Sequence, residues 1–312
     1  MIEPKQSSRI RSIAMLAVRA VLAVILLLLL FRFVSLSEVT RVLLAGRIEY
    51  LVAGLALVAV NIGLQILKWR YFVRLVNPAS TNLENAASLL FGITLGSVTP
   101  GQVGEFGGRA LRHNSVSAGT IMGLTLVDKL QMLCVMGIAG VTSLVSYLSL
   151  TMAAGAIISL LSSAAFVLFF FKPQIIQALL AYLPLRVRER PWMKDFLSAV
   201  TFFRRKALLV SFIFSVGLYC VVFLQMFLFL NAFTPVGPAD AFLGFAAMMF
   251  LKALLPISLA DLGVREAGSV YFYALRGIPH ATALNASLLL FVINIFLPSI
   301  VGLIFIPKIS KK

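Results

Sequence analysis

Long uninterrupted apolar runs leave this chain few ways to fold. A helix needs about 20 apolar residues to cross a hydrocarbon core of about 30 Å, and irregular backbone cannot face lipid. Such runs lie at Ile13–Leu36, Tyr50–Leu67, Ala118–Tyr147, Ala153–Phe171, Ala207–Phe233 and Ala281–Ile306. They predict an all-α polytopic membrane protein with about six full transmembrane helices, a single integral membrane domain over 1–312. The first run follows a basic leader (Lys5, Arg9, Arg11) and is longer than the apolar region of a signal peptide, so it reads as an uncleaved span. Composition agrees: 61% of residues are hydrophobic and 12% charged, against about half and about a quarter in soluble domains. With 2 Cys and 2 His, a disulfide scaffold or a Cys/His zinc site is excluded.

Two further apolar stretches, Leu83–Val98 and Ala239–Leu255, are too short to be confident spans, and each ends in a proline followed by small and charged residues. Short broken segments of this kind predict re-entrant hairpins, at about 83–113 and 239–278. Basic residues then set the topology, because Lys and Arg accumulate in short cytoplasmic loops. With both termini cytoplasmic, 19 of the 27 Lys and Arg residues fall on the inner side, eight of them in a cytoplasmic loop at about 172–206. Six fall outside: Arg32, Arg41, Arg47, Lys252, Arg265 and Arg276. The net charge of +16 is therefore mainly an orientation signal and a contact for anionic lipid head groups. No nucleic-acid module is present, and no nucleic-acid partner is expected. Trp69 and Trp192 fit the interfacial belt.

The two broken segments repeat one pattern. Pro100-Gly-Gln-Val-Gly-Glu105-Phe-Gly-Gly-Arg109 and Pro256-Ile-Ser-Leu-Ala-Asp261-Leu-Gly-Val-Arg265 share Pro, an acid, a large apolar residue, Gly and Arg at identical spacing. Repeat one covers about 50–149 and repeat two about 207–306. Three full spans separate the hairpins, so the repeats have inverted topology, an arrangement that puts substrate sites near the bilayer midplane.

Proline turns each hairpin and starts a new half-helix at Pro100 and Pro256. The half-helix N-termini would offer N–H groups to an anion, with Gly101, Gly104 and Gly107 allowing close backbone approach and Gly263 completing the second motif. An acid and an Arg four residues apart share a helix face, so Glu105 pairs with Arg109 and Asp261 with Arg265. Charges at this depth face protein or water rather than lipid. Two readings stay open: each pair locks its own hairpin, or Arg109 and Arg265 grip an anionic head group, as Arg does with two parallel hydrogen bonds to phosphate. Asp128 and Lys129 lie in mid-span and join the candidate head-group site; adjacent residues do not face each other, so each needs a partner elsewhere, Arg109 or Arg265 being candidates for Asp128. Asn61, Gln65, Gln131, Gln225, Asn285 and Asn294 are amides within spans that line a path or hold helices together.

The segments Lys68-Trp69-Arg70, Thr99 to Arg109, Val127-Asp128-Lys129-Leu130 and Leu262-Gly263-Val-Arg265-Glu266-Ala-Gly268 resemble the lysylphosphatidylglycerol synthase/flippase transmembrane region family, whose members include hopanoid-biosynthesis-associated and glycosyltransferase-associated membrane proteins. The resemblance covers essentially the whole chain. It departs at Lys129, where the family often has Arg, and at Asp261, where a small residue is common. It implies a multi-pass protein of a bacterial or archaeal plasma (inner) membrane that moves lipids or lipid-linked sugars between leaflets, without the soluble synthase domain of some members.

The resulting expectation is a flippase or translocase for an anionic phospholipid or a polyprenyl-phosphate-linked sugar, with no catalytic residues, no metal and no cofactor. No nucleotide-binding GxxxxGK[ST] loop occurs. The alternatives are an accessory subunit of a glycosyltransferase or lipid-synthesis partner, and an intramembrane lipid-modifying enzyme using His113, His280 or Asp128.

Overall fold

In the computed structural model, residues 36–113, 115–148, 151–171, 178, 182 and 188–305 are described. Among them the chain is helical: α1 (Leu36–Leu44), α2 (Ile48–Val76), α3 (Asn82–Ser97), α4 (Gly104–Leu111), α5 (Ala118–Val145), α6 (Met152–Phe171), α7 (Pro191–Thr201), α8 (Arg205–Phe233), α9 (Pro238–Leu254), α10 (Val264–Ala274) and α11 (His280–Phe291). A π-helical turn at Val292–Phe296 continues α11 into α12 (Leu297–Gly302).

Among the described residues, four helices are long and apolar enough to cross a membrane: Ile48–Val76, Ala118–Val145, Arg205–Phe233 and His280–Phe305. These correspond to four of the six expected spans. The expected span at Ala153–Phe171 is α6, apolar over the shorter length Met152–Leu168. The expected first span, 13–36, lies outside the described residues except for its last residue, as do most of 172–187 and the tail from 306.

Local sequence explains the helix ends. Thr81 caps α3 by accepting from the Glu84 N–H, and Ser117 caps α5 by accepting from Thr120 N–H. Each cap satisfies a first-turn amide that has no partner within its own helix. Large apolar side chains on the long helices point outward, among them Leu55, Val60, Ile213, Val216 and Ile304, all exposed. Polar residues point inward instead: Asn61, Lys68, Arg109, Gln131, Gln225, Arg265 and Glu266 are buried. That inversion of the soluble pattern is what a lipid solvent requires.

The two proline-broken segments form two helical hairpins, α3 with α4 and α9 with α10. No arm exceeds 17 residues. The half-helices do not begin at the prolines. The first starts at Gly104 and the second at Val264, after Gly263 with φ of 86°. Pro100 instead sits at the tip, where its backbone forms an antiparallel bridge with Leu259 of the other tip. Pro256 lies against Gly101 at the same junction. The connections are too tight for right-handed backbone: Gly101, Gln102, Ala260 and Asp261 all have positive φ, between 49° and 61°. For the three non-glycine residues this is a strained conformation held by the contacts around it.

Candidate functional site

Three polar residues of α2 prepare the site. Asn61, Gln65 and Lys68 are spaced at i, i+4 and i+7 and so share one face. Lys68 is 2% exposed and forms an ion pair with Asp128 of α5, and its ammonium donates to Ser215 Oγ of α8 at 2.7 Å. The neighbouring Trp69 is buried rather than interfacial. It donates to Ser88 Oγ at 3.2 Å, and its ring stacks under the Arg109 guanidinium at 4.3 Å.

The first hairpin delivers Glu105 and Arg109. Its arms approach so closely at Gly104 that an added Cβ would lie 2.2 Å from the Leu95 carbonyl oxygen. Gly107 plays no such part, since nothing lies within 4 Å of its Cβ position, and the expectation of close approach there is corrected. Glu105 and Arg109 are in one helix, so the i, i+4 rule holds and they pair. Arg109 also donates from Nη1 to Asp128 Oδ2 at 2.9 Å, while Lys129 pairs with the second oxygen of Glu105. Asp128 thus receives two cations, Lys68 and Arg109, and each cation is neutralised in turn.

The second hairpin departs from the expected pairing. Asp261 does not bond the Arg265 side chain, because it precedes the helix and its φ of 61° turns it away. It pairs with Lys252 of α9 at 3.1 Å and accepts from Gln102 Nε2 at 2.9 Å. Arg265 pairs with Glu266, whose other oxygen accepts from the N-cap Gly263 N–H at 2.7 Å. Arg265 Nε also donates to Ser287 Oγ at 3.2 Å, and the guanidinium lies 5.3 Å from the centre of the Phe291 ring. The N–H of Gly104 is likewise taken, by Thr99 Oγ1 at 2.7 Å. These two amides are therefore spent inside the protein, and the cations are the groups left for an anion.

Glu266 is fully buried, so its removal leaves Arg265 without a counter-charge. We expect Glu266→Ala to cost about 3–5 kcal/mol of stability, as for breaking a buried ion pair. Glu266→Gln, which keeps the cap geometry, should cost less. Thermal unfolding of the detergent-purified protein would measure both.

The two hairpins, α2, α5, α8, α11 and the π-turn line a cavity of about 390 Å³. It brings together every expected head-group residue: Arg109, Arg265, Glu105, Asp261, Asp128 and Lys129. Gly101 and Pro256 also line it, while Pro100, Gly104, Gly107 and Gly263 do not. Lys68, Lys252 and Gln102 are additions. Gln102 joins the two halves: its Oε1 accepts from Lys129 at 3.1 Å while its amide donates to Asp261. A continuous polar chain therefore runs from Lys68 through Asp128, Arg109, Glu105, Lys129, Gln102 and Asp261 to Lys252. Five cations and three acids line the space, and Glu266 stands behind Arg265 as a fourth acid, leaving one positive charge in excess.

No group of three or more His, Cys, Asp or Glu that could hold a metal occurs among the described residues. His113 and His280 do not line the cavity. His113 is buried, with its ring 6.3 Å from that of Trp69 in α2, bonds Glu84 Oε1 at 3.1 Å, and is pushed below its ordinary pKa by burial against the opposing pull of Glu84.

Lys68 was detectable in the sequence by its helical spacing from Asn61 and Gln65. Lys252 and Gln102 carried no comparable signal, since their roles depend on the meeting of two hairpin tips far apart in the chain. A family model described as the lysylphosphatidylglycerol synthase TM region matches residues 16–302. No curated protein matches the chain.

Proposed function

The chain belongs to the lysylphosphatidylglycerol synthase transmembrane region family and is a membrane-embedded protein, and from that premise we propose that it translocates lipids bearing a phosphate between leaflets. The observation that carries the reading is the cavity, in which two arginines and three lysines converge within a bundle of apolar helices. A head group crossing hydrocarbon must have its charge masked, because an isolated charge there costs several kcal/mol or more. A cavity with one positive charge in excess would supply that masking to a singly charged phosphodiester. When the site is empty, Glu105, Asp128, Asp261 and Glu266 hold the cations in place, which avoids leaving buried charges unpaired. Phosphate oxygens would compete with these carboxylates for the guanidinium donors of Arg109 and Arg265, both of which line the cavity. Met132, Met136 and Met249 line the apolar side, where flexible thioethers suit variable acyl or prenyl chains.

The hairpins are re-entrant in this proposal, entering from opposite sides as inverted repeats and meeting at the Pro100–Leu259 bridge. Access alternates as one repeat rocks against the other. Single cysteines replacing Arg188 and Arg276, in a background lacking Cys134 and Cys220, should react with impermeant maleimide from opposite faces of sealed vesicles. Reaction from one face would remove the inverted arrangement.

The function itself is tested by reconstitution. Proteoliposomes should exchange a labelled anionic phospholipid between leaflets at least ~10-fold faster than protein-free liposomes. No exchange of any phosphate-bearing lipid would refute the proposal.

A further inference from the structure

The charged groups occupy only part of the cavity. Away from them a ladder of neutral amides reaches into it. Gln65 donates to Asn61 at 3.2 Å, Asn61 donates to Asn294 at 2.6 Å, and Asn294 donates to Gln225 at 2.9 Å. Gln65, Asn61 and Asn294 line the cavity. Each amide side chain can make up to four hydrogen bonds, and the ladder uses two at Asn61 and two at Asn294. Asn294 lies within the π-helical turn Val292–Phe296, a local distortion that recurs at functional sites.

A second observation is independent of the ladder. Tyr219 also lines the cavity, is 5% exposed, and its hydroxyl has no hydrogen-bond partner among the described residues. Buried tyrosine hydroxyls are ordinarily bonded. Its height follows from the pairing of α2 with α8: Lys68 meets Ser215, and Gln225 donates to the Gly54 carbonyl, so the helices run antiparallel. Tyr219 therefore falls at the level of Gln65 and Asn61. From Lys68 to Asn61 is seven residues, about 10 Å along the helix, so phosphate-binding cations and neutral donors and acceptors stand within one head group's reach.

We propose that Asn61, Gln65, Asn294 and Tyr219 form a hydroxyl-reading subsite, and that the preferred ligand is a phosphodiester lipid whose head group carries uncharged hydroxyls beyond the phosphate, as a glycerol or a sugar does. The inference rests on the proposed phosphate-masking role of the same cavity. Hydroxyls both donate and accept, which matches amides and a phenol. An ammonium-bearing head group would instead bring donors only, leaving the N–H and O–H donors of the amides and the phenol without acceptors. A site built to bond hydroxyls discriminates strongly against ligands lacking them, because its polar groups are then left unpaired.

The test uses the full-length purified protein and short-chain phosphatidylglycerol, phosphatidylinositol, phosphatidylethanolamine and phosphatidic acid. Binding is measured by calorimetry and leaflet exchange of the long-chain forms in proteoliposomes. Wild type should bind the glycerol or the inositol lipid at least ~10-fold more tightly than phosphatidic acid or phosphatidylethanolamine, and the two hydroxylated lipids tell glycerol from a ring polyol. Tyr219→Phe deletes only an unpartnered hydroxyl, so folding should be intact. It should weaken the hydroxylated lipids ~5–10-fold and leave phosphatidic acid within ~2-fold. Asn61→Leu should do the same more strongly. Equal binding of all four lipids by wild type, or a Tyr219→Phe variant that changes none of them or all of them alike, would overturn the subsite. Selective binding without exchange would sink translocation and leave the subsite standing, whereas exchange indifferent to head group would do the reverse.

Discussion

Arg109→Ala should reduce leaflet exchange at least ~100-fold and lower stability by about 3–5 kcal/mol. The guanidinium is 2% exposed and serves two carboxylates, Asp128 at 2.9 Å and Glu105, while stacking on Trp69. Removing it leaves Asp128 with Lys68 alone and Glu105 with Lys129 alone, with Lys68 and Glu105 buried. Loss of one partner from a buried charge network is costly chiefly because the remaining charges are uncompensated. Hydrogen bonds to charged groups contribute about 1.5–3 kcal/mol each, so losing one or two to a phosphate accounts for the transport defect. Arg109→Lys separates folding from transport. It keeps the charge but not the planar fork that reaches two carboxylates at once. It should fold to near wild-type levels and still exchange lipid ~10-fold more slowly. Exchange by Arg109→Lys equal to wild type would show that the fork itself is dispensable.

Gly104→Leu should be nearly as damaging through a different route. Its Cβ position is 2.2 Å from the Leu95 carbonyl oxygen and 2.7 Å from Thr99 Oγ1, atoms of the opposite arm that cannot move without opening the hairpin. Overpacking of this kind costs about 1–3 kcal/mol and occasionally more. Separating α3 from α4 carries Glu105 and Arg109 away from Asp128, so exchange should fall at least ~10-fold even where the protein still folds. Gly107→Ala, three residues on, meets nothing within 4 Å and should be neutral or slightly stabilising, since alanine favours helix over glycine by about 1 kcal/mol. Unfolding temperature and exchange rate measured for both variants would check the pair.

These contrasts show where sequence and structure diverge. Spans were legible because hydropathy over about 20 residues is a long signal, and four of the expected helices are present as long apolar helices. Glu105 and Arg109 were legible because both lie in one helix. Asp261 and Arg265 have the same spacing, but Asp261 itself has positive φ and the helix starts only after Gly263, so the acid never enters the helix. Spacing alone does not reveal where a helix begins. Glu266, adjacent to Arg265, is its counter-ion, held in place by the bond it accepts from Gly263 N–H.

Charge counting does not show which cations share a site. Lys68 and Lys252 read as orientation marks on opposite sides, yet both line one cavity. Lys68 betrays itself by its helical phase with Asn61 and Gln65. Lys252 does not, because its partner Asp261 reaches it only through the turn of a hairpin tip, at positive φ. The junction of the tips, with Pro100 against Leu259 and Gln102 against Asp261, is a contact across about half the chain. Such a contact is set by packing rather than by local pattern.

The central claim is that the cavity masks phosphate charge during transfer. Its most direct test is the ratio of exchange rates for an anionic and a zwitterionic phospholipid in the same proteoliposomes, compared between wild type and Arg265→Gln. The cavity's excess positive charge predicts an anionic lipid moved at least ~10-fold faster by wild type, with the ratio falling toward one in the variant. A ratio near one in wild type, or one unchanged by Arg265→Gln, would contradict it.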